Sequence, residues 1–192
     1  MSTALVLVDM QNAFCRPDGS FARRGFRIPD LDRVVSACVR LLEGSRARGW
    51  TIVFTRLVFR PDYADAGLLV ADQPRIRAQG AYAAGGDDCR IIEELPRQPG
   101  DLVIDKQRYD PFVQTLLEEE LRSLGVSDLV VGGLLTNVCI ESTVRGAYDR
   151  GFRVTVPSDA TASYDPELHR ASLATLGRHF ARVVRVTDIF PP

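Results

Sequence analysis

Histidine is nearly missing from this chain. Of 192 residues only His169 and His179 carry an imidazole, and both lie late. Over the first 168 residues there is no histidine for a metal site or a general base. Cysteine is sparse too. Cys15, Cys38, Cys89 and Cys139 form no CxxC pair and no regular framework, so they read as reduced thiols rather than a disulfide scaffold. No apolar run reaches the roughly 18 residues needed to cross a bilayer. No basic stretch with a small-residue cleavage site precedes the first strand-like segment, so no signal peptide is expected. Neither charge sign dominates. Lys and Arg total 24 against 25 Asp and Glu, for a net charge of -1, and the arginines are spread evenly. That argues against nucleic-acid or membrane partners. No GxGxxG or GxxxxGK[ST] pattern follows a strand, so Gly132-Gly133 is no nucleotide signature. A cytoplasmic protein acting on a small molecule is the expectation that remains, with no metal and no cofactor required.

What is present is ordinary for one globular domain spanning 1–192: 45% apolar and 26% charged residues. Apolar, β-branched runs alternate with amphipathic stretches. Strands are predicted at Ala4–Val8, Thr51–Leu57, Leu102–Asp105, Leu129–Val131, Phe152–Val156 and Val183–Val186. Helices are predicted from Asp30, as N-cap, to about Arg48 with Gly49 as the stop, and over Phe112–Leu124 closed by Gly125. Two more are predicted over about Asn137–Arg150, and from Pro166 to about Arg178 with Asp165 as N-cap. Residues 58–100, rich in Gly, Pro and Asp, read as a long excursion with short helical pieces. Continuous apolar strands alternating with helices indicate an α/β fold, a parallel sheet covered on both faces. Ligands of such sheets bind outside the carboxyl ends of the strands.

Three reactive groups sit at those ends. Asp9 follows the first strand, Lys106 follows the third, and Cys139 lies one short loop after the fourth. Cys139 is expected at a helix N-terminus, where free N–H groups and the dipole favour a thiolate and can hold an oxyanion. A rim lysine stabilises that thiolate, and Asp9 can accept the thiol proton and return it to a leaving nitrogen. Each group alone has a plain reading: a buried cysteine, a turn-capping aspartate, a solvated lysine. Their coincidence at one rim points to a nucleophilic cysteine activated without histidine.

Four segments carry a family resemblance over nearly the whole length: Leu7–Phe14, Lys106–Phe112, Gly133–Cys139 and Ser158–Ala160. The chain resembles the isochorismatase-like cysteine hydrolases. The resemblance implies a three-layer α/β/α fold with a six-stranded parallel sheet, and a homodimer or homotetramer. It also implies Asp9, Lys106 and Cys139 as a catalytic triad. It places a cis peptide at Leu134–Leu135 and an oxyanion hole made by the N–H groups of Leu135 and Cys139.

Within that family, nicotinamidases carry metal-binding histidines, and residues 55–87 here contain none. Isochorismatases cleave a vinyl ether without the cysteine, which is present here. The expected activity is therefore C–N cleavage of a small ureido or carbamoyl amide through a thioester-like intermediate. Isochorismatase-type or nicotinamidase-type hydrolysis, or a non-catalytic interaction domain, are the alternatives. Phe14, Leu57, Tyr109 and Phe112 are expected to wall the pocket, with Gln11, Arg108 and Asn137 meeting polar substrate atoms. Arg145, Glu141 and Ser142 read as structural helix residues.

Overall fold

The computed structural model describes residues 2–191. One parallel sheet organises them, and its pleat explains the sequence pattern. In the first strand, β1 (Ser2–Val8), Leu5 and Leu7 pack into one hydrophobic layer while Ala4, Val6 and Val8 pack into the other. Period-two alternation of a strand with two buried faces gives the continuous apolar run read in the sequence. The remaining strands are β2 (Thr51–Leu57), β3 (Leu102–Lys106), β4 (Val126–Leu134), β5 (Arg153–Pro157), β6 (Thr161–Ala162) and β7 (Arg182–Val184). The order across the sheet is β3-β2-β1-β4-β5-β7, with β6 paired to the end of β4, and every pairing is parallel. The seventh strand, beyond the six expected, is the two-residue β6, too short to show a pattern.

Helices cover both faces. The helix Leu31–Ala47 buries Val34, Ala37, Cys38, Leu41, Leu42 and Ser45, a stripe of three- and four-residue steps. Burying each of Val34, Leu41 and Leu42 contributes roughly 1.5–3 kcal/mol. The helix Glu141–Asp149 lays Val144 and Ala147 against the opposite layer, beside Leu176 of the helix Pro166–His179. Among the described residues no helix is long and apolar enough to cross a membrane.

Several expected boundaries move, each for a visible reason. Asp165 caps its helix as expected, accepting from the N–H groups of Glu167 and Leu168 at 2.8 and 3.1 Å. Asp30 does not: its φ is 53° and its side chain makes no cap bond. The helix expected over Phe112–Leu124 spans only Leu117–Ser123. The Phe112 N–H is taken by Asp110 Oδ1 at 2.9 Å, and Gln114 sits at φ 57°, which a right-handed helix cannot contain. The strand expected over Val183–Val186 stops at Val184, and Val186 opens a short helix with its N–H on Asp159 Oδ1 at 2.8 Å. The excursion carries short helices at Leu68–Asp72 and Arg75–Ala78.

Candidate active site

The strand order reverses between β1 and β4, the switch point at which open α/β sheets leave a crevice. Gly133, paired with Val8, lets those two strands close up there. A Cβ at Gly133 would lie 2.2 Å from the Val8 carbonyl oxygen, and its φ is 116°. Asp9 follows β1 directly, at φ 54°, with its N–H donating to the Thr55 carbonyl at 3.1 Å. The carboxylate is gripped from two sides. The Thr55 hydroxyl donates to Oδ1 at 2.8 Å, and Lys106 Nζ donates to Oδ2 at 2.8 Å.

Lys106 is the last residue of β3, and β3 is not a neighbour of β1: β2 lies between them. The lysine stem and the Asp9 side chain together bridge that separation of about two strand spacings. Its ammonium also donates to the Arg108 carbonyl at 3.2 Å and reaches Cys139 Sγ at 3.6 Å. Asp9 and Lys106 are 0% exposed and Cys139 is 4% exposed. Cys139 belongs to a π-helical turn, Thr136–Ile140, which runs into the helix Glu141–Asp149. One continuous α-helix from Asn137 was expected there. Leu134–Leu135 is cis, as the resemblance implied.

Burial alone would drive Lys106 toward the neutral amine, but the Asp9 carboxylate and Cys139 hold its pKa above the ordinary lysine value. Cys139 departs from expectation. Burial pushes its thiol well above the ordinary range; Lys106 pulls it down, and Asp9 pushes it up again. The lysine already pairs with Asp9, so burial outweighs its pull on the sulfur.

Cys139 opens into a cavity of about 130 Å³, whose walls include Phe14, Leu57, Tyr109 and Leu135. A cavity of that size suits a small molecule. A larger open groove of about 700 Å³ runs past Arg40, Asp159 and His169, but none of Asp9, Lys106 and Cys139 lines it. His169 Nδ1 is 2.8 Å from the Thr136 hydroxyl, so one histidine does reach the turn that bears the cysteine. Among the described residues no cluster of three or more His, Cys, Asp or Glu side chains is placed to hold a metal.

Phe14, Leu57 and Tyr109 line that cavity, as expected. Four others do not. Gln11 is fully buried and its amide is spent on the backbone: it donates to the Leu57 and Asp88 carbonyls and accepts from the Leu57 N–H. Phe112 packs against Phe152 in the hydrophobic layer beneath β4, with ring centroids 5.9 Å apart. The Arg108 guanidinium donates to the Asp65 and Gln107 carbonyls, at 2.9 and 2.8 Å, and lies outside the cavity wall. Asn137 also lies outside that wall, its Oδ1 accepting from Ser163 at 2.5 Å. Arg145 pairs with Glu141 at 2.8 Å, and Glu141 accepts from Ser172 at 2.6 Å, as structural roles require.

The sequence reading missed Thr55 and a group formed by Arg24, Gln73 and Tyr82 on the cavity wall. Thr55 is mid-strand and looks like any β-branched core residue. Its one signal is a hydroxyl directly after the apolar run Ile52–Phe54.

Residues 3–188 match the family model of the Isochorismatase domain. The ureidoacrylate amidohydrolase RutB of Azorhizobium caulinodans is 32% identical over 200 residues, covering 97% of this chain and 88% of that protein. A cysteine hydrolase of Pseudomonas syringae pv. phaseolicola 1448A superposes with a TM-score of 0.89 at 30% identity, over 97% and 90% of the two chains. An N-carbamoylsarcosine amidase of Thermoplasma acidophilum superposes with a TM-score of 0.77 at 29% identity, over 97% of each chain.

Proposed function

The chain belongs to the isochorismatase family, and from that premise we propose that it is a cysteine amidohydrolase cleaving a C–N bond of a small ureido or carbamoyl compound. The observation that carries the reading is one ammonium bridging two partners. Lys106 Nζ lies 2.8 Å from Asp9 Oδ2 and 3.6 Å from Cys139 Sγ, and Cys139 lines a cavity of about 130 Å³.

In this mechanism Cys139 Sγ attacks the carbonyl carbon while its proton passes to Asp9. The developing oxyanion takes the N–H groups of Leu135 and Cys139. Asp9 hands the proton to the departing nitrogen, the C–N bond breaks, and an acyl or carbamoyl thioester remains on Cys139. Water then attacks, giving a proton to Asp9. The C–S bond breaks, the sulfur recovers that proton, and the acid or carbamate leaves. Lys106 offsets the negative charge that moves between sulfur and carboxylate. A raised thiol suits this scheme, because nucleophile formation and proton transfer then occur together, only when substrate is present.

The same reading takes residues 1–192 as one domain, supported by a single sheet that carries every strand among the described residues. It takes the chain as cytoplasmic, supported by four unpaired thiols, and as a homodimer or homotetramer. The test is an ammonia-release screen against ureidoacrylate, biuret, N-carbamoyl amino acids, nicotinamide and simple amides, with isochorismate assayed in parallel. Each is run with and without thiol alkylation and with a chelator. Alkylation-sensitive, chelator-resistant cleavage of ureido compounds is expected. Brisk hydrolysis of isochorismate or nicotinamide alone would overturn the reading.

A further inference from the structure

The cavity that Cys139 lines also holds a charge that the reaction does not use. Arg24 is the one ionised side chain among the lining residues, and no Asp or Glu lines the cavity with it. Arginine stays protonated at every accessible pH. Other arginines of this chain satisfy their charge on carboxylates: Arg46 on Asp101 at 2.7 Å, Arg56 on Asp105 at 2.7 Å and Arg145 on Glu141 at 2.8 Å. Arg24 has only neutral acceptors among the described residues. It donates to the Ser20 carbonyl at 3.3 Å, to Gln73 Oε1 at 3.4 Å and to the Tyr82 hydroxyl. The first two are long for hydrogen bonds. Burial holds the Tyr82 phenol above its ordinary pKa, so that partner stays neutral.

The guanidinium is also held in place. Its carbon lies 5.7 Å from the Phe21 ring centroid and 5.3 Å from that of Tyr82, and Tyr82 stacks in turn on Phe14 at 5.4 Å. Stacking fixes the guanidinium without neutralising it. The surrounding wall includes Leu57, Leu69, Ile76 and Leu135, which offer no polar side chain. At the reactive end the Lys106 charge is matched by Asp9. What remains is an unmatched, oriented cation in a small and mostly apolar cavity. We propose that Arg24 anchors a carboxylate on the substrate, so that the site selects ureido or carbamoyl acids over their neutral counterparts. This rests on the ureido or carbamoyl reading and adds to it the charge of the substrate and the residue that reads it.

The test uses N-carbamoylglycine and its primary amide, which differ in charge and hardly in size. Each is titrated as a protectant of Cys139 against iodoacetamide, with the modified residue read by mass spectrometry. In the unaltered protein the acid should protect at concentrations about 10- to 100-fold lower than the amide, the range of one charge-assisted contact. Arg24→Gln should remove that advantage and leave protection by the amide unchanged. Arg24→Lys should restore part of it. Gln73→Glu keeps Arg24 but sets a carboxylate against it, and should remove the advantage even if Arg24→Gln folds poorly. No advantage for the acid in the unaltered protein overturns the proposal. So does an advantage that survives Arg24→Gln and Gln73→Glu, or equal loss of acid and amide binding. Ammonia release from both compounds is followed separately. Protection as expected without any cleavage would sink the proposed reaction and leave the anchor standing.

Discussion

The Thr55 hydroxyl donates to Asp9 Oδ1 at 2.8 Å, which fixes the carboxylate plane and leaves Oδ2 to Lys106. A proton acceptor whose rotation is locked is aimed before substrate arrives. Thr55→Val keeps the shape and removes the hydroxyl. It should cost about 1 kcal/mol of stability. It should lower kcat by about tenfold, a loss of similar size, with little change in KM, and Thr55→Ser should restore most of the loss. Steady-state ammonia release and thermal melting measure both.

Cys139→Ala should abolish turnover and leave melting within about 1 kcal/mol of the unaltered protein, because the sulfur is small and its surroundings are already packed. Intact-mass trapping of the unaltered enzyme should show an acyl or carbamoyl adduct on this residue. Wild-type turnover by Cys139→Ala would remove the covalent mechanism.

Lys106→Met strands a fully buried Asp9 carboxylate beside an apolar stem. Breaking one side of such a pair costs on the order of 3–5 kcal/mol. Adding Asp9→Asn to Lys106→Met should then destabilise far less than the sum of the two single changes, since neither charge is left alone. Denaturant melts of the four proteins give the coupling directly.

The pH dependence of Cys139 alkylation follows from the causes of its shift. Burial raises the thiol, so the thiolate fraction at neutral pH is small and alkylation should be slower than for free cysteine, climbing above pH 9. Asp9 raises the pKa, so Asp9→Asn should move the profile to lower pH. Lys106 lowers it, so Lys106→Met should move the profile higher. Reversed directions would mean that the three groups are not electrically coupled as the distances require.

Gly133→Ala would set a methyl 2.2 Å from the Val8 carbonyl oxygen at a φ of 116°. Strain and overpacking act together there, and a loss of roughly 2 kcal/mol or more is expected. The loss should appear in activity as well as in melting, because β1 and β4 deliver Asp9 and Cys139 from either side of this contact.

Much of this was readable in the sequence. The bounds of Thr51–Leu57 follow from an apolar, β-branched run that begins just after Gly49 and is followed closely by Pro61. Asp9, Lys106 and Cys139 could be placed at one rim from strand ends alone. What was not readable depends on partners remote in sequence. Gln11 and Arg108 have the chemistry of substrate-binding groups, and only the structure shows their donors spent on backbone carbonyls. Phe112 suits a pocket wall and a core position equally well by sequence, and only its packing on Phe152 decides for the core. The thiolate expected from a helix N-terminus yields to burial, a quantity no local pattern reports. Arg24 sits in a stretch of short turns without periodicity, where no sequence rule singles out one arginine of three neighbours.

Gln11 ties the chain in two places, at Leu57 where the excursion leaves the sheet and at Asp88 near its return. A second pinch joins Phe59 to Tyr82 and Ala84 through backbone bonds of 2.8 Å each. The segment between those pinches supplies Leu69, Gln73 and Ile76 to the cavity, and none of Asp9, Lys106 or Cys139. Its length can change at small entropic cost, about 0.6 kcal/mol for each doubling. Substrate preference can therefore drift over evolutionary time by insertion and deletion in one cassette. The bond-breaking apparatus, held on the sheet below the knots, need not be reinvented.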